Sequence, residues 1–505
     1  MEYAIAVLDI GMTNKKVAVY DDALRPVDSR YRHFPPLLRD GLETHDLAAM
    51  EDWFTEQIAR YARLYPVKGM AVSTHGATFV GVGKDGTPSL PCVYYTHEPG
   101  DAFHERFYAR FGSPEALQEE TGTPAFKALI NTGKGIFFAQ EQYPEAFKQT
   151  VQVLLYPQYW GYRFSGKTGA ERTSMGCHSY LWDQRQGRLS SVAQGLGLAP
   201  LMPKRLGAPW DVPGTLSPAF ARKTGLTQEV ILTLGIHDSN ASLLPHFAKH
   251  GEGGFVLNST GTWCVIMHPV PAYGFAKEEL GKVVFFNISA FGTPVKTAIF
   301  LGGQEFERWS RLLKDIHSRR DLPPFDLSLY RSLLADKSAF LLPELTPGSG
   351  QFPWSTPRVI EDGQEYPFSA LAQGTLMPPV FKRYEAGIAL LGISLVMQTL
   401  TALERTGLVP GVPVFTEGGF RKDRAYLTLL AAALPKNRVV LTDMAEATAL
   451  GAAMTVKMAL TGKKLADLAE DFDIAYQEVL RIDIPELARY REAWLGHAQS
   501  PPQAA

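Results

Sequence analysis

Three cysteines in 505 residues, Cys92, Cys177 and Cys264, are too few and too scattered for a disulfide framework, and no CxxC pair marks a zinc site. That usage fits a reducing compartment, so a cytoplasmic protein is expected. Charge of one sign is also missing: the formal net charge is -2. Without a basic surplus, neither nucleic acid nor an anionic membrane surface is an expected partner. The opening "MEYAIAVLDIG" has no basic segment, and Asp9 interrupts its apolar run, which argues against a signal peptide. The longest apolar run, "AGIALLGISLVM" (386–397), stops at Gln398 and Thr399, short of a bilayer's thickness, and reads as a buried helix. The opening turn at 7–22 also lacks the Walker pattern GxxxxGK[ST].

What is present is a long chain of ordinary globular composition, 45% hydrophobic and 20% charged. Such a length exceeds one hydrophobic core, so at least two large domains are expected. The first residues alternate apolar and polar on both sides of a turn, as paired strands do. "LAAMEDWFTEQIARYARLY" (47–65) has helical spacing, and "VKGMAVSTHGATFVGVGKDG" (67–86) returns to strand, with a turn at Lys84-Asp85-Gly86. The stretch "PHFAKHGEGG" (245–254) has little to bury and suggests a domain break. After it, "FVLNSTGTWCVIMH" (255–268) repeats the opening pattern of apolar run, Gly/Thr turn, apolar run. Two such openings predict a duplicated architecture with a cleft between the halves. Residues 341–369 are rich in Pro, Gly and Ser and predict an irregular surface excursion. Helices are expected at 383–406 and around 445–462, with a strand at 412–419 between them. The ending "HAQSPPQAA" is expected to fray.

The turn in "VLDIGMTNKKVAVYDD" (7–22) admits two readings. Gly11, Thr13, Asn14 and Lys16 supply free backbone N–H groups, small polar side chains and a cation, as a phosphate site requires. Asp9 at the strand end adds a carboxylate that could hold Mg²⁺ through water. Gly and Asn are equally at home in a plain hairpin. The rest of the chain offers company. Gly261 and Thr262 form a second Gly/Thr turn. Gly418 and Gly419 in "EGGFRKD" (417–423, ending at Asp423) let a nucleotide approach backbone closely. Asp238 sits among small polar residues in "GIHDSNAS" (235–242).

In this order the segments resemble the FGGY carbohydrate kinase family, within the actin-like, ribonuclease-H-like ATPase superfamily, over about residues 4 to 460. The first phosphate motif of the family, roughly D-x-G-T-T-S-x-R, is matched by Asp9, Gly11, Thr13, Asn14 and Lys16. Met12 replaces a Thr, Asn14 the Ser and Lys16 the Arg, so a bidentate fork becomes a point charge. The second phosphate motif is matched by Gly261 and Thr262. The nucleotide-side glycine after "AIFL" resembles Gly303, and the adenosine motif is matched by Gly418, Gly419 and "EATALGAA" (446–453), with Asp423 on the same nucleotide side. The helix after Gly419 lacks the Gln often found there. "STHGA" (73–77) resembles the sugar-facing segment, with His75 and Gly76, and "HDSNAS" resembles the base segment, with His237, Asp238 and Asn240. The pairing of His-Asp with "STGTW" is most like the rhamnulokinase and L-fuculokinase branch.

The resemblance implies an α/β fold of two ribonuclease-H-like domains, 1–247 on the sugar and phosphate side and 248–490 on the nucleotide side, with a catalytic cleft between them and a tail at 491–505. It implies ATP and Mg²⁺ as cofactors, a small sugar as partner and a possible homodimer. Asp238 would be the catalytic base, and Asp9 and Asp238 the metal-facing carboxylates. Read without the resemblance, Asp238 is a residue capping the next helix, His75 a core histidine bonded to backbone, and His237 packing behind Asp238. Glu98 reads as a solvated loop carboxylate, and Trp160, Trp182 and Trp210 as core or lid packing. The other functional class open to such a chain is an actin-like ATP-binding switch with no acceptor; "STHGA" together with Asp238 favours the kinase.

Overall fold

The computed structural model describes residues 1–444 and 446–499. Strands β1 (Ala4–Ile10), β2 (Asn14–Asp21) and β3 (Pro26–His33) form an antiparallel meander. Helix α1 (Leu47–Leu64) follows, its first turn closed by Asp46 accepting from the Ala49 amide at 3.0 Å. Strand β4 (Val67–Thr74) then joins β1 in parallel. Two short strands, β5 (Ile231–Leu232) and β6 (Ile236–His237), extend this parallel edge beside β4. β1 is apolar on both faces because both are covered, whereas β3 is charged and exposed, as suits a sheet edge.

The second half repeats the plan. β7 (Val256–Thr260), β8 (Cys264–Pro269), β9 (Val284–Ile288) and β10 (Pro294–Phe300) are antiparallel, and β11 (Val414–Gly418) and β12 (Val439–Thr442) are parallel to β7. The spatial order β10-β8-β7-β11-β12 in this sheet corresponds to β3-β2-β1-β4-β5 in the first. The duplication expected from two similar hairpins is therefore a duplication of sheet topology.

Between the sheets lie two helices, α2 (Asp238–His250) and α5 (Ala447–Thr461). They share one core with inward residues of both sheets, including Ile5, Val7, Leu257 and Phe415. Their approach is close: a Cβ on Gly451 would stand 1.9 Å from the Ala241 carbonyl oxygen, so only glycine fits there. The long helix α4 (Tyr384–Arg405) is long and apolar enough to cross a membrane, but its apolar stretch lies wholly inside the fold. A preceding helix, α3 (Gly302–His317), packs against it.

Three expectations need revision. Residues 341–369 are not an irregular excursion: Ala339–Leu342, Arg358–Glu361 and Gln364–Pro367 form a three-stranded sheet, and Phe352 is fully buried. The Pro/Gly/Ser signal came from the long loop between the first two of these strands. The chain end does not fray from His497. Helix α6 (Glu486–Gln499) buries Tyr490 and Trp494 and donates the Trp494 Nε1–H to the Leu341 carbonyl at 2.9 Å, so 491–499 belong to the second core rather than to a tail; residues 500–505 lie outside the described residues. Helix α2 also runs past residue 247, and the exposed stretch comes after it, at 251–254.

Candidate active site

β1 and β2 place the first turn at the mouth of the inter-sheet space. Strand alternation sends Asp9 and Lys16, cross-strand partners, to the same face. Lys16 Nζ lies 2.9 Å from Asp9 Oδ2 and also pairs with Glu446 at the start of α5, whose other oxygen accepts from Tyr31 OH at 2.7 Å. Burial opposes the Lys16 charge, but Asp9 and Glu446 outweigh it and its pKa is raised. Burial raises the Asp9 pKa, against the pull of Lys16. Thr13 and Asn14 are exposed at the turn tip, and Gly11 is half-buried. Lys15 points the other way, is fully buried and donates to the Met12 carbonyl at 2.7 Å, a brace inside the turn.

Asp238 opens α2 with its side chain one-third exposed, so it reaches solvent-accessible space. It accepts from the Ser239 amide at 2.6 Å, an N-terminal contact of its own helix, and lies 3.0 Å from His237 Nε2. Burial raises its pKa, while His75 and the Ser239 hydrogen bonds lower it. His237 is buried, with Asn240 Nδ2 3.3 Å from its Nδ1 and Cys177 Sγ 3.1 Å from its Nε2. Burial pushes its pKa down to about 3, so it is a neutral hydrogen-bonding partner of Asp238 rather than an ion-pair partner. His75 is buried at the end of β4 beside Tyr95, and burial takes its pKa to about 4. Gly76 allows a close approach: a Cβ there would meet His178 and Cys177 at 3.0–3.2 Å. Ligand atoms of Cys177, His178 and His237 lie within 4.8 Å of one another. Burial holds the Cys177 thiol well above its ordinary value, so the cluster is protonated sulfur with neutral imidazoles, a hydrogen-bonding set.

The second turn has no cation of its own. Gly261 and Thr262 are exposed, and the chain crowds in behind them. A Cβ on Gly303, at the start of α3, would stand 2.1 Å from the Gly261 carbonyl oxygen. Gly418 has φ +84°, and a Cβ there would lie 1.9 Å from the Thr260 carbonyl oxygen. These contacts leave a cleft of about 480 Å³ lined by Asp238, Ser259, Glu417, Gly418, Arg421 and Lys422. Next to it, sharing Lys422, a second cavity of about 340 Å³ is lined by Phe325, Tyr330, Gly419 and Asp423 among others. Asp423 caps the helix Arg424–Ala433 by accepting from the Tyr426 amide at 3.0 Å.

The candidate residues thus gather in three places. Asp9, Gly11, Thr13, Asn14 and Lys16 stand at the first turn; His75, Gly76, His237, Asp238 and Asn240 gather between the end of β4 and the start of α2; Gly261, Thr262, Gly303, Gly418, Gly419 and Asp423 surround the second turn and its cavities. Sequence reasoning gave no role to Glu446, although it lay in the quoted "EATALGAA" segment, nor to His178, whose surroundings "SMGCHS" have no periodicity. Glu98 is not simply solvated: it accepts from the Ala128 and Gly100 amides at 2.6 and 3.0 Å and organises its loop. Trp160 is fully buried in the first core.

Residues 4–245 match the N-terminal domain of the FGGY family of carbohydrate kinases, and residues 252–464 match the carbohydrate kinase FGGY C-terminal domain. The chain belongs to the FGGY family of carbohydrate kinases. A solved carbohydrate kinase from Novosphingobium aromaticivorans superposes on this FGGY chain with a TM-score of 0.80 at 27% identity, covering 99% of both chains. A xylulose kinase from Lactobacillus acidophilus has the same fold, with a TM-score of 0.80 at 16% identity, covering 98% of this chain and 97% of its own. A rhamnulokinase from Halalkalibacterium halodurans is 25% identical over 213 residues, covering 41% of this chain. That similarity spans 43% of the rhamnulokinase, less than half its length.

Proposed function

We propose that this FGGY kinase transfers the γ-phosphoryl group of ATP to a hydroxyl of a ketose, a 6-deoxy-ketohexose such as L-rhamnulose or L-fuculose. The observation that carries the reading is the place of Asp238. It lies near enough to His75, at the end of β4, for that ring to lower its pKa, and it also lines the cleft that reaches Gly418. Phosphoryl transfer asks a protein for alignment and charge stabilisation. In this reading the sugar hydroxyl rests against Asp238, which takes its proton as the oxygen bonds to the γ-phosphorus and the bond to the departing ADP oxygen breaks. His237, neutral, orients the carboxylate, and Asn240 orients His237. Lys16 leaves Glu446 for the phosphate oxygens, beside Thr13 and Asn14. Thr262 and the backbone at Gly261, Gly303 and Gly418 hold the remaining phosphates, and the cavity at Gly419 and Asp423 takes the adenosine end.

The oxygen-only set of Asp9 and Asp238 fits Mg²⁺, a hard cation. These two residues would hold it, and when bound it neutralises phosphate charge. The 6-deoxy sugar is supported by the partial rhamnulokinase similarity and by the His-Asp and "STGTW" pairing. ATP turnover at saturating MgATP, measured with L-rhamnulose, L-fuculose, D-xylulose, D-ribulose, erythritol and glycerol, tests it. A 6-deoxy-ketohexose is expected to give the highest kcat/KM. A polyol ahead of every ketose by tenfold would reject the branch; no sugar dependence at all would reject the kinase.

A further inference from the structure

The side chains around Gly76 include imidazole nitrogens that the described residues leave without a hydrogen-bond partner. His75 Nδ1 lies 2.9 Å from the Gly76 carbonyl oxygen, so it carries the proton and donates there. Its Nε2 is therefore a lone pair, buried and without a hydrogen-bond partner among the described residues. His178 repeats the arrangement. Its Nδ1 donates to the Ile130 carbonyl at 3.1 Å, which fixes Nε2 as an acceptor. That Nε2 faces Gly76: a Cβ built on the glycine would stand 3.1 Å from it.

His178 is held in place at a cost. Its φ is +34°, a region that side-chain-bearing residues enter under strain and that recurs at ligand sites. Asn131 Nδ2 holds its carbonyl at 3.2 Å. Phe126 from the first half and Phe285 from β9 of the second meet its ring edge-on, with centroids 6.0 and 6.3 Å away. Burial takes its pKa to about 4, which keeps the ring neutral. The buried lysines of this half do not offset the lone pairs, because Lys15 and Lys134 donate to the carbonyls of Met12 and Phe126 at 2.7 and 2.5 Å and Lys16 pairs with Asp9 and Glu446.

We propose that His178 Nε2 and His75 Nε2 form a paired hydroxyl-accepting subsite across Gly76, which selects uncharged polyhydroxy substrates over sugar acids. The proposal rests on the kinase reading above. Each sugar hydroxyl brings an O–H to a waiting lone pair, whereas a carboxylate brings only lone pairs and a charge that Asp238 repels. His178 is then a specificity-determining residue, distinct from the base. Unpaired buried polar groups are what make such a site reject the wrong ligand.

The test compares wild type, His178→Ala and His178→Gln, the last keeping an acceptor oxygen. The probes are L-rhamnulose, L-fuculose, D-xylulose and D-gluconate at saturating MgATP. Wild type is expected to prefer its best ketose to D-gluconate by about 100-fold or more in kcat/KM. His178→Ala is expected to raise the ketose KM about tenfold, with kcat and the KM for ATP nearly unchanged, and His178→Gln to recover part of the loss. An unchanged ketose KM in both variants, an equal rise in the KM for ATP, or D-gluconate as the best acceptor would overturn the subsite. Turnover that no sugar stimulates in wild type would instead overturn the kinase reading beneath it.

Discussion

The two hairpin turns occupy equivalent places in equivalent sheets, yet they are built differently. The first, at Gly11–Thr13, is a turn of side chains: Asp9 and Lys16 face each other across β1 and β2, and Glu446 reaches Lys16 from the other half. Its glycine is less crowded than those at the second turn, since a Cβ on Gly11 would meet only the Asn14 carbonyl, at a tight 3.2 Å. The second, at Gly261–Thr262, is a turn of backbone. Gly303 and Gly418 press against it so closely that a Cβ on either would overlap a carbonyl oxygen. One topology has thus been built in two ways: charged side chains at one turn, closely packed backbone at the other.

The largest expected effect breaks the second turn. Gly418→Ala places a Cβ 1.9 Å from the Thr260 oxygen at a positive φ, and should cost roughly 2–6 kcal/mol of stability. Gly261→Ala, whose Cβ would meet only the Trp263 oxygen at 3.6 Å, should stay within about 0.5 kcal/mol of wild type. Denaturant unfolding of the pair reads the difference; similar midpoints for both would mean that Gly418 is not crowded as described.

A smaller effect breaks the first turn. Lys16→Met removes its cation, and should lower kcat/KM for ATP by about 10–100-fold while leaving sugar affinity nearly unchanged. Steady-state kinetics with each substrate varied in turn checks it, and unchanged kinetics would return the turn to a plain hairpin.

Much of this contrast was legible in the sequence. Alternation gave the paired strands, the Gly/Thr segments gave both hairpin turns, and Asp238 stood out among small polar residues after an apolar run. The crossing from one half to the other was not legible. Glu446 meets Lys16 and Tyr31 through contacts separated by more than 400 positions, and no local period encodes that. His178 escaped notice for a related reason: its meaning comes from Gly76 and Ile130, which lie in other parts of the chain. The three-stranded sheet at 339–367 was hidden because its strands are only four residues each, with loop composition between the first two.

The smallest effect sharpens the account of the first half's buried histidines. His75, His178 and His237 have pKa values lowered by burial to about 4, 4 and 3, below their ordinary 6.5. Below pH 6.5 the unfolded chain binds protons that the folded chain does not, so folding weakens as pH falls. The contribution is fully present above pH 6.5 and is lost toward pH 3–4, at up to about 1.4 kcal/mol per pH unit for each group. Tm measured from pH 7.5 to 5 should fall in wild type, and fall less steeply in His178→Gln. Equal slopes would mean that His178 is not held neutral.

The central claim is that Asp238 joins the two halves as the proton acceptor, and Asp238→Asn tests it most directly. Calorimetric binding and single-turnover transfer are measured on the same preparation, with the best ketose of the wild-type panel. Base catalysis predicts binding of sugar and ATP close to wild type, with transfer slowed about 10²–10⁴-fold. Transfer at the wild-type rate, or binding lost in step with transfer, would contradict it.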